Sequence, residues 1–262
     1  MSDILSEASY QEFLALLDWF YLKGPIPIII GGWAVFFYNS YLGSVDIDLV
    51  GPSMGGLFYE ALESYEIAHG YEEVRRGLLG LERVCRKPII KDGELHGYVE
   101  IDACTYESNQ SGFHENPDIK LPYALCADPK LRRSVELGER REAFIPKKPL
   151  LFLYKLKALR DRAYDLRVRG AVMSAERRAW LQSKWSKDGS DLIALLDPEP
   201  RRYVVEEQFD FNLLKRLIET QGLEFALSSV KELPNMRSSL DRYHNAEREE
   251  VEEWVNNLLS KI

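Results

Sequence analysis

The apolar residues of this chain change their period once, near residue 145, and that switch limits the fold more than any other feature. Before it, short apolar segments are cut by glycine and proline. After it, apolar residues recur at three- and four-residue spacing almost to the C-terminus. Residues 9–23 (SYQEFLALLDWFYLK) have helical spacing and stop at Gly24-Pro25. Residues 26–30 read as a buried strand, 31–32 as a tight turn, 33–38 as a short helix and 44–50 as an alternating strand. A helix over 57–69 follows. Residues 81–86 and 98–105 read as strands, with Asp92-Gly93 as a turn signal between them. Residues 109–142 give few clear patterns, and 143–146 read as a last short strand. Behind Pro149 the spacing predicts helices over 150–168, 175–186, 189–197, 210–221, 223–231 and 246–261. The expectation is an α/β half over 1–145 and an all-helical half over 146–262.

The chemistry-bearing segment is SVDIDLV. Alternation puts Asp46 and Asp48 on one face of the strand, about 6.5 to 7 Å apart, with Val45, Ile47 and Leu49 on the other. Aspartate is depleted in strands, and two like charges on one face resist burial. Either the strand is an edge with solvated acids, or a divalent cation removes the penalty; hard carboxylate oxygens bind Mg²⁺, usually beside substrate phosphates. A second acid pair stands in YVEIDAC, where Glu100 and Asp102 share a face. If the two strands are neighbours, Asp102 can approach Asp46 and Asp48. Three carboxylates can hold two metal ions about 4 Å apart, the arrangement used for in-line phosphoryl displacement. Gly31-Gly32, between a strand and a helix, would offer backbone N–H groups and a helix dipole to an anion.

These residues resemble a known family. GGWAVFFYNSYLGSVDIDLV is similar to the signature of the polymerase-β nucleotidyltransferase superfamily: strand, Gly-Gly turn, helix, strand with Asp-x-Asp, then a third acid from a later strand, here Asp102. Within it, the chain most resembles the AbiEii-type toxin nucleotidyltransferases. Gly31, Gly32, Ser44, Asp46 and Asp48 fit their first motif. Lys155, Ala158 and Arg162 behind Pro149 fit the third, and Lys187, Asp188, Asp191 and Leu192 fit the last. The match runs over roughly 26–196. It departs from the family in the length between Arg162 and Lys187, and the C-terminal 60 residues match nothing in it.

The resemblance implies an α+β chain, with a polymerase-β-like mixed-sheet domain over 1–145 and a helical domain over 146–262. It implies Mg²⁺ held by Asp46, Asp48 and Asp102, and an NTP whose phosphates meet Gly31, Gly32 and Ser44. Lys155, Arg162, Lys187, Asp188 and Asp191 are further nucleotide contacts on this reading. Asp188 and Ser190 have a second reading as helix caps, and Lys155 one as part of a solvated basic stripe partnered by Asp161 and Asp165. The activity implied is transfer of an NMP to an acceptor hydroxyl with release of pyrophosphate. The acceptor would be RNA such as a tRNA 3′ end, or a protein, in a toxin paired with a cognate antitoxin. Aminoglycoside-type adenylyltransferases share GGWA and are the second reading; a nucleotide-binding protein without catalysis is the third. Arg75, Arg76, Arg132 and Arg133 are candidate acceptor contacts, and Trp33 is expected in the core.

Composition narrows the classes. With 45% hydrophobic and 29% charged residues, a packed core is expected. No apolar run approaches the roughly 20 residues of a membrane span. The N-terminus carries acids and no basic-then-apolar run, so a cytoplasmic protein is expected. Cys85, Cys104 and Cys126 are far apart and read as buried thiols. The net charge of −8 disfavours a protein that coats long nucleic acid through phosphates alone, although basic residues cluster between Lys147 and Arg178.

Overall fold

The alternating and glycine-punctuated first half builds one sheet. The computed structural model describes residues 2–52, 56–76, 82–107 and 112–262. It is α+β, and the chain forms two units. The first is Met1–Phe36, Gly43–Gln110 and Pro122–Lys147; the second is Phe37–Leu42, Ser111–Leu121 and Lys148–Ile262. No described helix is long and apolar enough to cross a membrane.

The first unit holds a seven-stranded mixed sheet in the order β3-β4-β5-β2-β1-β7-β6. Its strands are β1 (Ile28–Ile29), β2 (Asp46–Gly51), β3 (Glu72–Arg76), β4 (Glu82–Lys91), β5 (Glu94–Thr105), β6 (Arg132–Glu136) and β7 (Glu142–Pro146). The pairs β2–β5 and β1–β7 are parallel and the others antiparallel. Asp92 and Gly93, both at positive φ (54° and 81°), turn β4 into β5. Pairing therefore runs up to the turn, and both strands are longer than the apolar pattern indicates. Residue 81, the expected start of the first, lies outside the described residues. The two strands with no apolar signal, β3 and β6, are the two edges of the sheet. Their charged sequences, EEVRR and RRSVE, suit an edge that must stay in water and refuse further pairing.

Helices α1 (Ser2–Lys23) and α3 (Leu57–Ala68) belong to this unit, and α2 (Gly31–Tyr38) begins in it. Phe13, Leu16, Leu17 and Phe20 of α1 and Phe58 and Leu62 of α3 are buried, as are Ile47, Leu49, Val99 and Ile101 of the sheet. Each such side chain contributes about 1.5–3 kcal/mol by leaving water. Trp33 is in this core, stacked on Phe13 with its Nε1 donating to Ser9 Oγ at 3.1 Å. None of the three cysteines is in a disulfide, and all three are buried.

The second unit is helical: α4 (Lys148–Arg169), α5 (Ala175–Leu196), α6 (Phe211–Gln221), α7 (Leu227–Val230), α8 (Arg237–Tyr243) and α9 (Arg248–Lys261). Helix α5 corrects the expectation of two helices, and with it the reading of Asp188 and Ser190 as caps. Ser174 caps α5, accepting from Arg177 N. Gly189, which suggested a break, is a packing position: a Cβ there would lie 2.3 Å from Ser239 Oγ and 2.6 Å from Met236 Cε. Ser190 Oγ donates to Ser186 O one turn back and to Ser239 O. Helix α8 carries too few apolar residues over its seven positions to show a period. The expected helix over 223–231 is a 3-10 turn, Glu224–Ala226, followed by α7.

Candidate active site

The parallel pairing of β2 with β5 aligns Asp46 with Glu100 and Asp48 with Asp102. Partners on neighbouring strands point to the same face with their Cα atoms about 4.8 Å apart. All four acids therefore share one face, while Ile47, Leu49, Ile101 and Ala103 are buried on the other. Across β5, strand β4 sets Arg86 opposite Glu100 and Val84 opposite Asp102, and Arg75 of β3 stands opposite Val84. Glu100 thus stands between Asp46 and Arg86 in the sheet, and Asp102 between Asp48 and Val84. Burial first, and then the Asp48 charge, push the Asp102 carboxyl up to about 7; Arg75 opposes this, and Asp46 and Glu82 add to it.

The donor set suits a hard divalent cation such as Mg²⁺. The backbone register brings the strands together as such a site requires. Among the described residues, however, no group of three or more His, Cys, Asp or Glu side chains is gathered closely enough to hold a metal ion. Asp46, Asp48 and Asp102 would have to turn toward an ion to share it. Burial and the charge of Asp48 have a measurable consequence at Asp102. Between the ordinary value of 3.8 and about 7, the folded chain keeps a proton on Asp102 that the unfolded chain has lost. Stability from this group therefore falls as pH rises across that window. In chelator-treated protein, Asp102→Asn should melt close to wild type near pH 4 and clearly above it near pH 8. A constant difference in melting temperature over that range would refute a carboxyl raised by burial and by the neighbouring acids.

The glycine turn meets the acidic strand directly. Gly31, the first residue of α2, has φ +67°, and a Cβ built there would lie 1.8 Å from Asp48 Oδ2. Glycine is needed both for the left-handed backbone and for the space the carboxylate fills. Ile30 N donates to Asp48 O at 3.1 Å, fastening the start of the turn to β2. Gly32, the second residue of α2, and Ser44, two residues before β2, are both buried. Gly31→Ala should cost about 1–3 kcal/mol in urea unfolding, and more if Asp48 cannot turn aside. A cost within error of zero would mean that the contact is easily relieved.

Tyr123 is a neighbour of these acids with no signal in the sequence. It opens the 3-10 helix Tyr123–Ala127 in a segment without period. Its phenol is pushed up by burial and by the charges of Cys104, Asp102 and Asp48. Of the four candidate acceptor arginines, Arg75 stands in the row of Asp102. Arg76 pairs with Glu63 and Glu73. Arg132 lies over the Phe144 ring and donates to Tyr106 Oη and Cys126 O. Arg133 is on the edge strand β6.

In the second unit the remaining candidate residues form one ion network. Lys155 Nζ lies 2.6 Å from Asp191 Oδ2 and 3.6 Å from Asp188 Oδ1. Lys187 Nζ donates to Asp191 Oδ2 at 3.0 Å, and Arg162 pairs with Asp188. The sequence did not reveal Tyr41, whose Oη donates to Asp191 Oδ1 at 2.6 Å. Burial would raise the Asp191 carboxyl, but Lys155 and Lys187, with hydrogen bonds from Lys155 and Tyr41, hold it at about 2. Lys155 is itself buried, so it is not part of a solvated stripe. Asp161 instead pairs with Lys157, and Asp165 with Arg169 and His114. No protein-family model matches the chain, and no curated protein is significantly similar to it.

Proposed function

We propose that this chain is a magnesium-dependent nucleotidyltransferase of the polymerase-β type. The observation that carries the reading is the register of β2 on β5, which sets Asp48 opposite Asp102 with Asp46 on the same face. Asp46, Asp48 and Asp102 would hold the metal, which when bound neutralises phosphate charge and lowers the barrier to attack at phosphorus. Gly31, Gly32 and Ser44 hold the β- and γ-phosphates through backbone N–H groups and a hydroxyl. Asp102 takes the proton of the acceptor hydroxyl. The new bond joins that oxygen to the α-phosphorus as the bond to pyrophosphate breaks. Within the second unit Lys155 and Arg162 are held by Asp191 and Asp188, so any phosphate bound by these two cations has to compete with those carboxylates. The acceptor we favour is RNA, such as a tRNA 3′ end, or a protein, within a toxin–antitoxin pair.

The test is incorporation of label from each of the four NTPs, with Mg²⁺, into total tRNA, cell protein or aminoglycosides. Label in RNA or protein is the expected result. Label in aminoglycosides alone would replace the acceptor class. No labelled acceptor and no pyrophosphate with any NTP would overturn the reading.

A further inference from the structure

The α4–α5 hairpin extends between Arg162 and Lys187, and its tip is charged unlike the rest of the chain. From 166 to 184 it carries Arg167, Arg169, Arg177, Arg178 and Lys184 against a single acid, Glu176, in a protein of net charge −8. The tip is a folded surface. Arg178 Nη2 donates to Gly170 O at the end of α4, and Ser174 caps α5. Arg177, Trp180 and Lys184 fall three and four residues apart and so lie on one face of α5. Trp180 is 45% exposed, with the Arg177 guanidinium 4.1 Å and the Lys184 ammonium 5.8 Å from its ring. Among the described residues, neither Arg167 nor Arg177 has a carboxylate partner.

We propose that this hairpin tip is a docking surface for single-stranded nucleic acid. The cations track successive phosphates, and the indole offers a platform on which an unpaired base stacks. A membrane surface fits less well. The exposed apolar residues, Val168, Val172 and Trp180, are interrupted by arginines and form no continuous apolar stripe. The proposal does not depend on nucleotidyl transfer, and its test needs no turnover.

The test is fluorescence anisotropy of the full chain with a labelled mixed-sequence single-stranded RNA, a DNA of the same sequence, and flotation with phosphatidylcholine–phosphatidylserine vesicles. Wild type should bind one or both oligonucleotides at low salt. R167Q/R177Q/K184Q should weaken binding at least about tenfold and reduce the slope of log Kd against log salt by about 2, since each phosphate contact contributes about 0.7 on a single strand. Trp180→Ala should weaken binding about fivefold or more, while R167K/R177K, which keeps the charge, should stay within about threefold of wild type. These side chains are exposed or half-buried, so the variants should share the wild-type melting temperature. RNA-only or DNA-only binding would identify the strand. Absence of oligonucleotide binding, binding unchanged in the triple glutamine variant, or binding to vesicles alone would overturn the proposal.

Discussion

Asp46→Ala protein should fold as wild type does and lose magnesium-dependent nucleotide transfer by about a thousandfold. The two halves of that expectation have separate causes. Asp46 is the first residue of β2 and lies on the face opposite the apolar core, so its removal leaves the packing of Ile47 and Leu49 untouched. Substitutions of that kind cost about 0.5 kcal/mol or less. If three acids share the ion, however, removing one takes away both a ligand and a charge that phosphate chemistry needs. The measurement is transfer rate at saturating NTP beside a thermal melt of the same preparation. An active Asp46→Ala protein would remove the acids of β2 from the site, and with them the proposed mechanism. An unfolded one would assign Asp46 a structural role that its position in the sheet does not suggest. Asp48→Asn is the companion variant. It keeps the shape that fills the space beside Gly31 and removes only the charge.

What could be seen in the sequence divides along physical lines. The acids of SVDIDLV and YVEIDAC were legible because a strand with one buried face writes its period into the chain. Ile47, Leu49, Val99 and Ile101 fix which way Asp46, Asp48 and Asp102 point. That β2 and β5 are neighbours was not legible, since pairing between strands some fifty residues apart is set by topology. Edge strand β3 carries no period because all five of its residues are exposed, and β6 is too short and charged, with Val135 its one buried residue, to show one. The break expected near Asp188 had a different origin. Asp, Gly and Ser in succession favour a helix end in isolation, but here Asp188 and Asp191 are occupied by cations and Gly189 by close packing of Ser239. Tertiary partners removed the local competition for backbone N–H groups. Tyr41 and Tyr123 show the remaining limit: each reaches an acid, or the surroundings of one, from a segment with no pattern of its own.

The largest stability effect should come from Asp191. Its carboxylate is buried and accepts from Lys155, Lys187 and Tyr41 together. Asp191→Ala leaves the Lys155 and Lys187 ammonium groups near each other, with Asp188 at 3.6 Å from Lys155 as the remaining carboxylate, and removes the acceptor of Tyr41 Oη. Breaking a buried pair from one side costs about 3–5 kcal/mol, because the charge left behind is poorly compensated. Lys155→Met should cost less, since Asp191 keeps Lys187 and Tyr41 and the methionine fills similar volume. That asymmetry separates a buried ion network from a set of solvated pairs, for which both changes would fall within about 1 kcal/mol. The pH dependence has the opposite sign to that of Asp102. A carboxyl held at about 2 stabilises the fold fully above its ordinary 3.8, and the contribution is lost as pH falls through that interval. Wild type should therefore lose its advantage over Asp191→Ala on acidification toward pH 2, a change that urea unfolding at several pH values would measure. An advantage that persists undiminished into that range would show that the carboxylate is not held by these cations.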